Sequence, residues 1–511
     1  MVQVAIFATP AWPYLVASGA MLVAVACLVG LYYFVVLPLV TPLKRLPGPA
    51  PTSVIFGNGW EIFERVSNFP EPFLSWMKHY GGAVHYSIAC EHRIQLTDPT
   101  AVQYVLATKA SSFPRHPTLR RFFADFLSGV GLLSSEGAKH DYHRKVLNPH
   151  FSGIQIKTSM AVIVDQTLQF CASHLDSAAM SRRPANMNTF FQELTLNNIG
   201  LSSFGYDFQE NPDALKAYEA LQTMPNKVLL ACSMCIPGFS RLPFPCFRRR
   251  NHARTTLLRI MQDIITTKLS EHKAAGAPRD LLDLMLDADT CSHDALVHTM
   301  TLIFAGHDTT TAALCWTFFR LASQPSMAAL ARNECLAMLK RHGSFENGEA
   351  LQGLSFTTAC IQETLRLHPP VPFLGRRIAA QDMDVPMTDG SSIFVPKGTS
   401  VCVLHAAMHR DPTYWSQPEA FVPERFIPGM APFEIDLGLR QGRSHALHYM
   451  PFSIGAKNCI GQRFAMAELQ VVVATLLSRY EFAITADADF SNMFNGVSVQ
   501  PAHLELSVVS V

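Results

Sequence analysis

The stretch Phe452-Ser-Ile-Gly455-Ala-Lys457-Asn-Cys459-Ile-Gly461 carries more information than any other part of the chain. It reads as a loop built to present one thiolate to an iron. Phe452 is apolar and can shield the sulfur from water, and Gly455 permits a sharp turn or a close backbone approach. Gly461, two residues beyond the cysteine, leaves room for a flat group to pass the chain. Next comes Gln462-Arg-Phe-Ala-Met-Ala-Glu-Leu-Gln-Val, rich in helix formers with apolar spacing. Cys459 is therefore expected at a helix N-terminus, where the dipole and free N–H groups lower a thiol pKa. A merely structural cysteine does not explain five positions in fixed register.

This loop resembles the haem loop of the cytochrome P-450 family, Phe-x-x-Gly-x-Arg-x-Cys-x-Gly. The resemblance implies haem b as cofactor, with Cys459 as axial ligand of the iron. In such sites electron donation from the thiolate favours O–O cleavage. Lys457 stands where the family has Arg, which keeps the charge for a haem propionate but loses the bidentate geometry.

The 511 residues carry 41 basic and 40 acidic side chains, a net charge of +1, so nothing points to nucleic acid. Residues 1–43 contain no Lys, Arg, Asp, Glu or His. Within them, Tyr14 to Leu37 is nearly all apolar and would span about 36 Å as a helix, enough to cross a bilayer. Lys44 and Arg45 follow and belong on the cytoplasmic side. A cleaved signal peptide would want a basic start and a shorter apolar core. Leu46-Pro47-Gly48-Pro49-Ala-Pro51 is a stiff linker, similar to the hinge of endoplasmic-reticulum members of the family. The organisation expected is an anchor segment 1–43, a hinge 44–58 and a catalytic domain 59–511. That makes the protein single-pass in the endoplasmic-reticulum membrane, with a cytoplasmic catalytic domain. The 12 cysteines show no paired spacing and should be reduced there. Cys232-Ser-Met-Cys235 lacks a second pair at zinc spacing and is read as fortuitous.

From about 90 to 380 the pattern is mostly helical. Short β-like pieces lie at Val84–Ala89, His92–Leu96, Ser392–Val395 and Ser400–Leu404, and those near 84 and after 390 are expected to share one small sheet. The fold class expected is mainly α with a minor β region, as in the P-450 fold. The apolar, proline-rich stretch Ile236–Phe247, followed by Arg248, Arg249 and Arg250, is expected to touch a membrane, with the arginines at the headgroups.

Ser292 is expected to cap a long apolar helix reaching about Ser323. Phe304-Ala305-Gly306-His307-Asp308-Thr309-Thr310 at its middle contains poor helix formers, so a local break is expected. This segment resembles the family's oxygen-activation motif, which implies Thr309 as hydrogen-bonding alcohol and Asp308 as proton relay; His307 has no assigned role. Glu363-Thr-Leu-Arg366 and Phe421-Val-Pro-Glu-Arg425-Phe426 resemble the segments that build a buried charge cluster supporting the haem loop. Glu136 to Phe151 resembles the helix in which Trp-x-x-x-Arg binds a propionate; here His140 replaces Trp and Arg144 is retained. His368 to Arg377 matches a further segment, with Arg377 as a propionate contact. Thr309, Glu363 and Cys459 follow in the family's order, at 54 and then 96 residues.

The resemblance implies a membrane-bound haem-thiolate monooxygenase that hydroxylates or epoxidises a lipophilic small molecule with O2. No flavin or nicotinamide domain is present, so electrons are expected from NADPH through a separate flavoprotein reductase. Arg144, Lys145, Arg440 and Arg443 are the docking charges considered. A specialised metabolite is the expected substrate class; a fatty-acid or sterol hydroxylase is the alternative. A reductase-independent haem-thiolate isomerase or dehydratase is a further one, disfavoured by the acid–threonine pair, as is a non-catalytic haem sensor. The pocket lining is expected from 114–133, Phe304, Ala305, 371–373 and 494–497.

Overall fold

The computed structural model describes residues 12–222, 228–229, 232, 238–275, 280–287, 291–494 and 498–511. The elements that frame the site are β1 (Ala83–Ile88), β2 (Glu91–Leu96), α1 (Gly137–Leu147), α2 (Met187–Phe204), α3 (Ser292–Ala322), α4 (Ser355–Leu367), β3 (Leu374–Ile378), β4 (Ser400–Val403), α5 (Gln462–Arg479), β5 (Asp489–Phe494) and β6 (Val499–His503). Helix dominates and the sheets are small, as expected.

The apolar stretch from residue 292 forms one helix, α3, buried along most of its length. Its cap is Cys291 rather than Ser292: the Cys291 sulfur accepts from the Asp294 N–H at 3.5 Å. The expected break at 305–310 is absent, because the threonines satisfy themselves inside the helix. Thr309 Oγ1 donates to the Ala305 carbonyl and Thr310 Oγ1 to that of Gly306, each at 2.9 Å. Gly306 serves packing, since a Cβ there would lie 3.1 Å from the Ile199 side chain on α2. The main apolar core runs from Phe126 through α2, α3 and α5 to Val508.

The sheet joining distant segments has the order β1-β2-β4-β3. β2 pairs with β4 in parallel, Arg93 opposite Ser400 through Leu96 opposite Val403. Ile94, Leu96, Val401 and Val403 are buried beneath it, each side chain stabilising the fold by about 1.5–3 kcal/mol. Ser392–Val395 does not join this sheet but pairs with Met383–Pro386 in a hairpin of its own.

At the N-terminus the backbone is helical over Trp12–Leu31 and continues through a wider turn, Tyr32–Val36, to Leu37–Val40. Among the described residues no helix is long and apolar enough to cross a membrane. The expected membrane loop is described from Gly238 onward, and the arginines after it correct one expectation. Arg248 and Arg249 are exposed, but Arg250 lies over the Phe126 ring, 5.2 Å from its centroid, and does not face outward. Cys235, and with it the C-x-x-C reading, lies outside the described residues.

Candidate active site

Gly455 makes the turn that begins the cysteine loop. Its φ is +77°, and a Cβ there would sit 2.2 Å from the Leu106 carbonyl oxygen, so the turn requires glycine. The Cys459 N–H donates to the Phe452 carbonyl at 2.8 Å. Gly461 caps α5 beside the thiol; a Cβ on it would lie 4.0 Å from Cys459 Sγ. From α1, Arg144 grips the loop from the side. Its Nη1 donates to the Asn458 carbonyl (2.8 Å) and its Nη2 to Asn458 Oδ1 (2.6 Å). Arg144 thus braces the loop, and its charge also reaches Arg115 in the cluster of cations described below.

Cys459 is accessible to solvent, yet enough protein surrounds it for burial to push its thiol above the ordinary value. For its titration the surrounding protein decides. The helix N-terminus does not win: the Gly461 N–H and Arg144 both favour the thiolate, but burial outweighs them. A lasting thiolate here needs a bound cation.

At the start of α1 three cations crowd one carboxylate. Glu136 accepts from the Arg115 backbone N–H at 3.0 Å and forms an ion pair with Lys457. Arg115 Nη1 lies 3.6 Å from Glu136 and donates to the Ser135 carbonyl at 3.2 Å. Arg377, on β3, bridges to Arg115 through its backbone, and its Nε and Nη1 are buried without a partner. His140 is buried too; Nδ1 lies 3.2 Å from Asp141 Oδ1, while Nε2 has no partner. Burial, reinforced by the neighbouring arginines, lowers Arg115 to about 10 and Lys457 to about 8, although Glu136 opposes both shifts. Buried donors and cations in excess of their counter-charge are what a fold leaves for an anionic ligand. The sequence places Arg115 only within the expected 114–133 lining and Glu136 only at the start of the propionate-binding helix segment, and gives neither a charge partner.

On α3, Thr309 is half-buried and Asp308 is buried, with the Ser498 hydroxyl donating to Asp308 Oδ2 at 2.5 Å. His307 turns elsewhere. It meets Thr195 Oγ1 at 2.8 Å and the Tyr218 ring edge-on, and burial lowers it to about 3, so it is a neutral packing residue. Beside this region the Phe126 and Phe304 rings pack at a tilt, their centroids 4.6 Å apart, and Phe373 stands 6.5 Å from Phe494. These aromatics belong to the expected lining; 495–497 lie outside the described residues.

Beneath the loop, Glu363 takes Arg366 in a two-point bond (2.7 and 2.9 Å), Arg425 Nε at 3.1 Å and the Val422 N–H at 2.8 Å. All three side chains are fully buried. Asp436 is a second, unforeseen acid of this cluster, paired with Arg425.

A match to the family described as cytochrome P-450 covers residues 47–508. The chain belongs to the cytochrome P-450 family. It is 27% identical over 488 residues to cytochrome P-450 monooxygenase 205 of Postia placenta, covering 87% of each chain. It is 30% identical over 443 residues to cytochrome P-450 4F4 of Rattus norvegicus, covering 82% of this chain and 79% of that one. To cytochrome P-450 709B1 of Arabidopsis thaliana it is 27% identical over 475 residues, covering 90% and 87%. The protein is a cytochrome P-450 monooxygenase, and the cofactor of the family is haem b. The residues present fit that group. A dianionic edge matches the unpartnered donors of Arg377 and His140 and the crowded Arg115 and Lys457, and an accessible, enclosed thiol matches an iron ligand.

An open concavity of about 630 Å³ lies beside the cysteine loop, lined by Asp141, Arg144, Lys145, Asn148, Pro149 and Ala456. Two of the four docking charges considered lie there. Arg443 is exposed elsewhere, but Arg440 is buried against the Trp415 ring, 4.9 Å from its centroid, and cannot serve.

Proposed function

We propose that this cytochrome P-450 hydroxylates or epoxidises a lipophilic small molecule of specialised metabolism. O2 is the oxidant, and electrons come from NADPH through a separate flavoprotein reductase. The observation that carries the reading is the solvent-accessible Cys459, its N–H closed on the Phe452 carbonyl, its sulfur beside Gly461 and its loop braced by Arg144 through Asn458. Haem b, when bound, would supply the redox chemistry by which O2 takes up two electrons from the reductase, one at a time, and two protons as it is cleaved, one oxygen going to the substrate and one to water. Cys459 would be its iron ligand, with Phe452, Gly455 and Gly461 shaping the loop. Arg377, His140, Arg115, Lys457 and Arg144 would hold the propionates, Arg144 also bracing the loop through Asn458. Thr309 would present its hydroxyl to the reacting oxygen, and Asp308 would pass protons toward it. Phe126, Phe304, Phe373 and Phe494 give a lining suited to an apolar substrate. The concavity beside Lys145 would receive the reductase.

We assign the uncharged segment 1–43 as a single membrane anchor in the endoplasmic reticulum, 44–58 as the hinge and 59–511 as the cytoplasmic catalytic domain. Exposed Met21, Val23 and Leu28, and Leu242 and Phe244 near the second contact, support lipid as a partner.

The test is a reduced-plus-CO difference spectrum on membranes expressing the chain, then a spectral binding screen of terpenoids, polyketides and fatty acids. A strongly red-shifted thiolate Soret band is expected; an ordinary, imidazole-like band would overturn the assignment. With the compound that binds best, Asp308→Asn is expected to lower reductase-supported product formation about a hundredfold while leaving the CO band unchanged. Unchanged product formation would remove Asp308 from the relay. Arg377→Ala should act in opposite directions on two states. Haem loss to a scavenger protein should speed up about tenfold or more, from loss of a charge-assisted contact. The haem-free protein should melt no lower, because two buried donors without acceptors have gone with the side chain.

A further inference from the structure

The acid on α3 does not choose its own orientation. Ser498 Oγ donates to Asp308 Oδ2 at 2.5 Å, with both residues buried. Ser498 stands beside β6, whose backbone is tied down independently of that bond. Trp316 Nε1, farther along α3, donates to the Val499 carbonyl at 3.0 Å, and the Val499 N–H donates to the Pro370 carbonyl at 2.8 Å. Asn188 Nδ2, from α2, donates to the Pro501 carbonyl at 3.0 Å. A hydroxyl on so fixed a backbone sets where the carboxylate points, rather than following it. A hydroxyl donating to a carboxylate at this separation is also among the short, strong hydrogen bonds.

We propose that Ser498 is a positioning residue for proton delivery: it fixes the orientation of Asp308 next to Thr309, from the hairpin that also carries Phe494. This rests on the reading of Asp308 and Thr309 as the proton relay. Ser498 touches no reacting atom; it acts through Asp308. Loss of the hydroxyl removes the short bond from Ser498 that holds the carboxylate in this orientation, so protons arrive out of step and reduced oxygen escapes as hydrogen peroxide.

The test uses full-length holoenzyme with reductase, NADPH and dodecanoate as the organic probe, comparing wild type, Ser498→Ala, Asp308→Asn and the double variant. Ser498→Ala is expected to keep the thiolate CO band and to raise hydrogen peroxide released per NADPH about threefold, a fraction of what a general acid contributes. In the Asp308→Asn background the serine change should alter that ratio no further. Independently of turnover, the infrared difference between wild type and Ser498→Ala should contain a carboxyl band that is missing when the same difference is taken in the Asp308→Asn background. A wild-type peroxide ratio in Ser498→Ala, or an equal effect of the serine change in both backgrounds, would overturn the proposal while the relay stands. A wild-type ratio and product yield in Asp308→Asn would instead sink the relay reading, and the proposal with it.

Discussion

Cys459→Ala is expected to fold, to keep some haem, and to lose both the red-shifted CO band and reductase-supported oxidation. The loop does not depend on its sulfur. Its turn is made by Gly455, its closure by the Cys459 N–H on Phe452, and its side support by Arg144 on Asn458. Alanine in place of a protonated thiol removes one polarizable atom and leaves no charge stranded. Arg115 and Arg377 lie on other elements, and Lys457 sits in the loop whose turn and closure the change leaves in place, so all three would still attract the propionates. The loss of oxidation should exceed the about 100-fold that removal of an outer-shell partner costs at a metal site. The reduced-plus-CO spectrum and product formation, measured on the same membranes, check this. A retained red-shifted band would mean another cysteine is the ligand.

Glu363→Ala is expected to abolish recovery of haem protein altogether. Glu363 is the only carboxylate bonded to Arg366 among the described contacts, and one of two bonded to Arg425. Removing it strands a fully buried guanidinium and releases the Val422 N–H, a loss of about 3–5 kcal/mol where total stability is about 5–15 kcal/mol. The damage spreads because Arg366 also donates to the carbonyls of His409, Pro418 and Ala420, holding the segment that leads into the cysteine loop. CO-binding protein per cell is the measurement. Glu363→Leu combined with Arg366→Leu, which leaves neither charge of that pair unmatched, should recover more of it than Glu363→Ala. Equal or greater loss in the double variant would show that the cluster matters for its shape and not its charge balance.

What could be read along the chain was what lies close together in it. Gly455, Cys459 and Gly461 share one turn, and α3 announces itself by its apolar length. Pairings across hundreds of residues stayed hidden. Lys457 could be placed near a propionate by its position in the loop, but nothing local says that it meets Glu136. Asp308 and Ser498 are likewise joined only by the fold. Propensity misled at 305–310, where hydroxyls that usually compete with a helix found acceptors one turn back inside it. Charge misled at Arg440 and Arg250: each guanidinium lies against an aromatic ring instead of solvent.

The parallel pairing of β2 with β4 sets a waiting time on synthesis. Arg93 leaves the ribosome long before its partner Ser400. At 5–20 residues per second the interval is about 15–60 s, during which β1 and β2 form a hairpin whose outer rim of N–H and C=O groups has nothing to hold it. An isolated hairpin is marginal in water. The nascent chain therefore has to keep this edge from pairing with a neighbouring chain until its C-terminal quarter emerges, and a chain cut short before residue 400 never covers it.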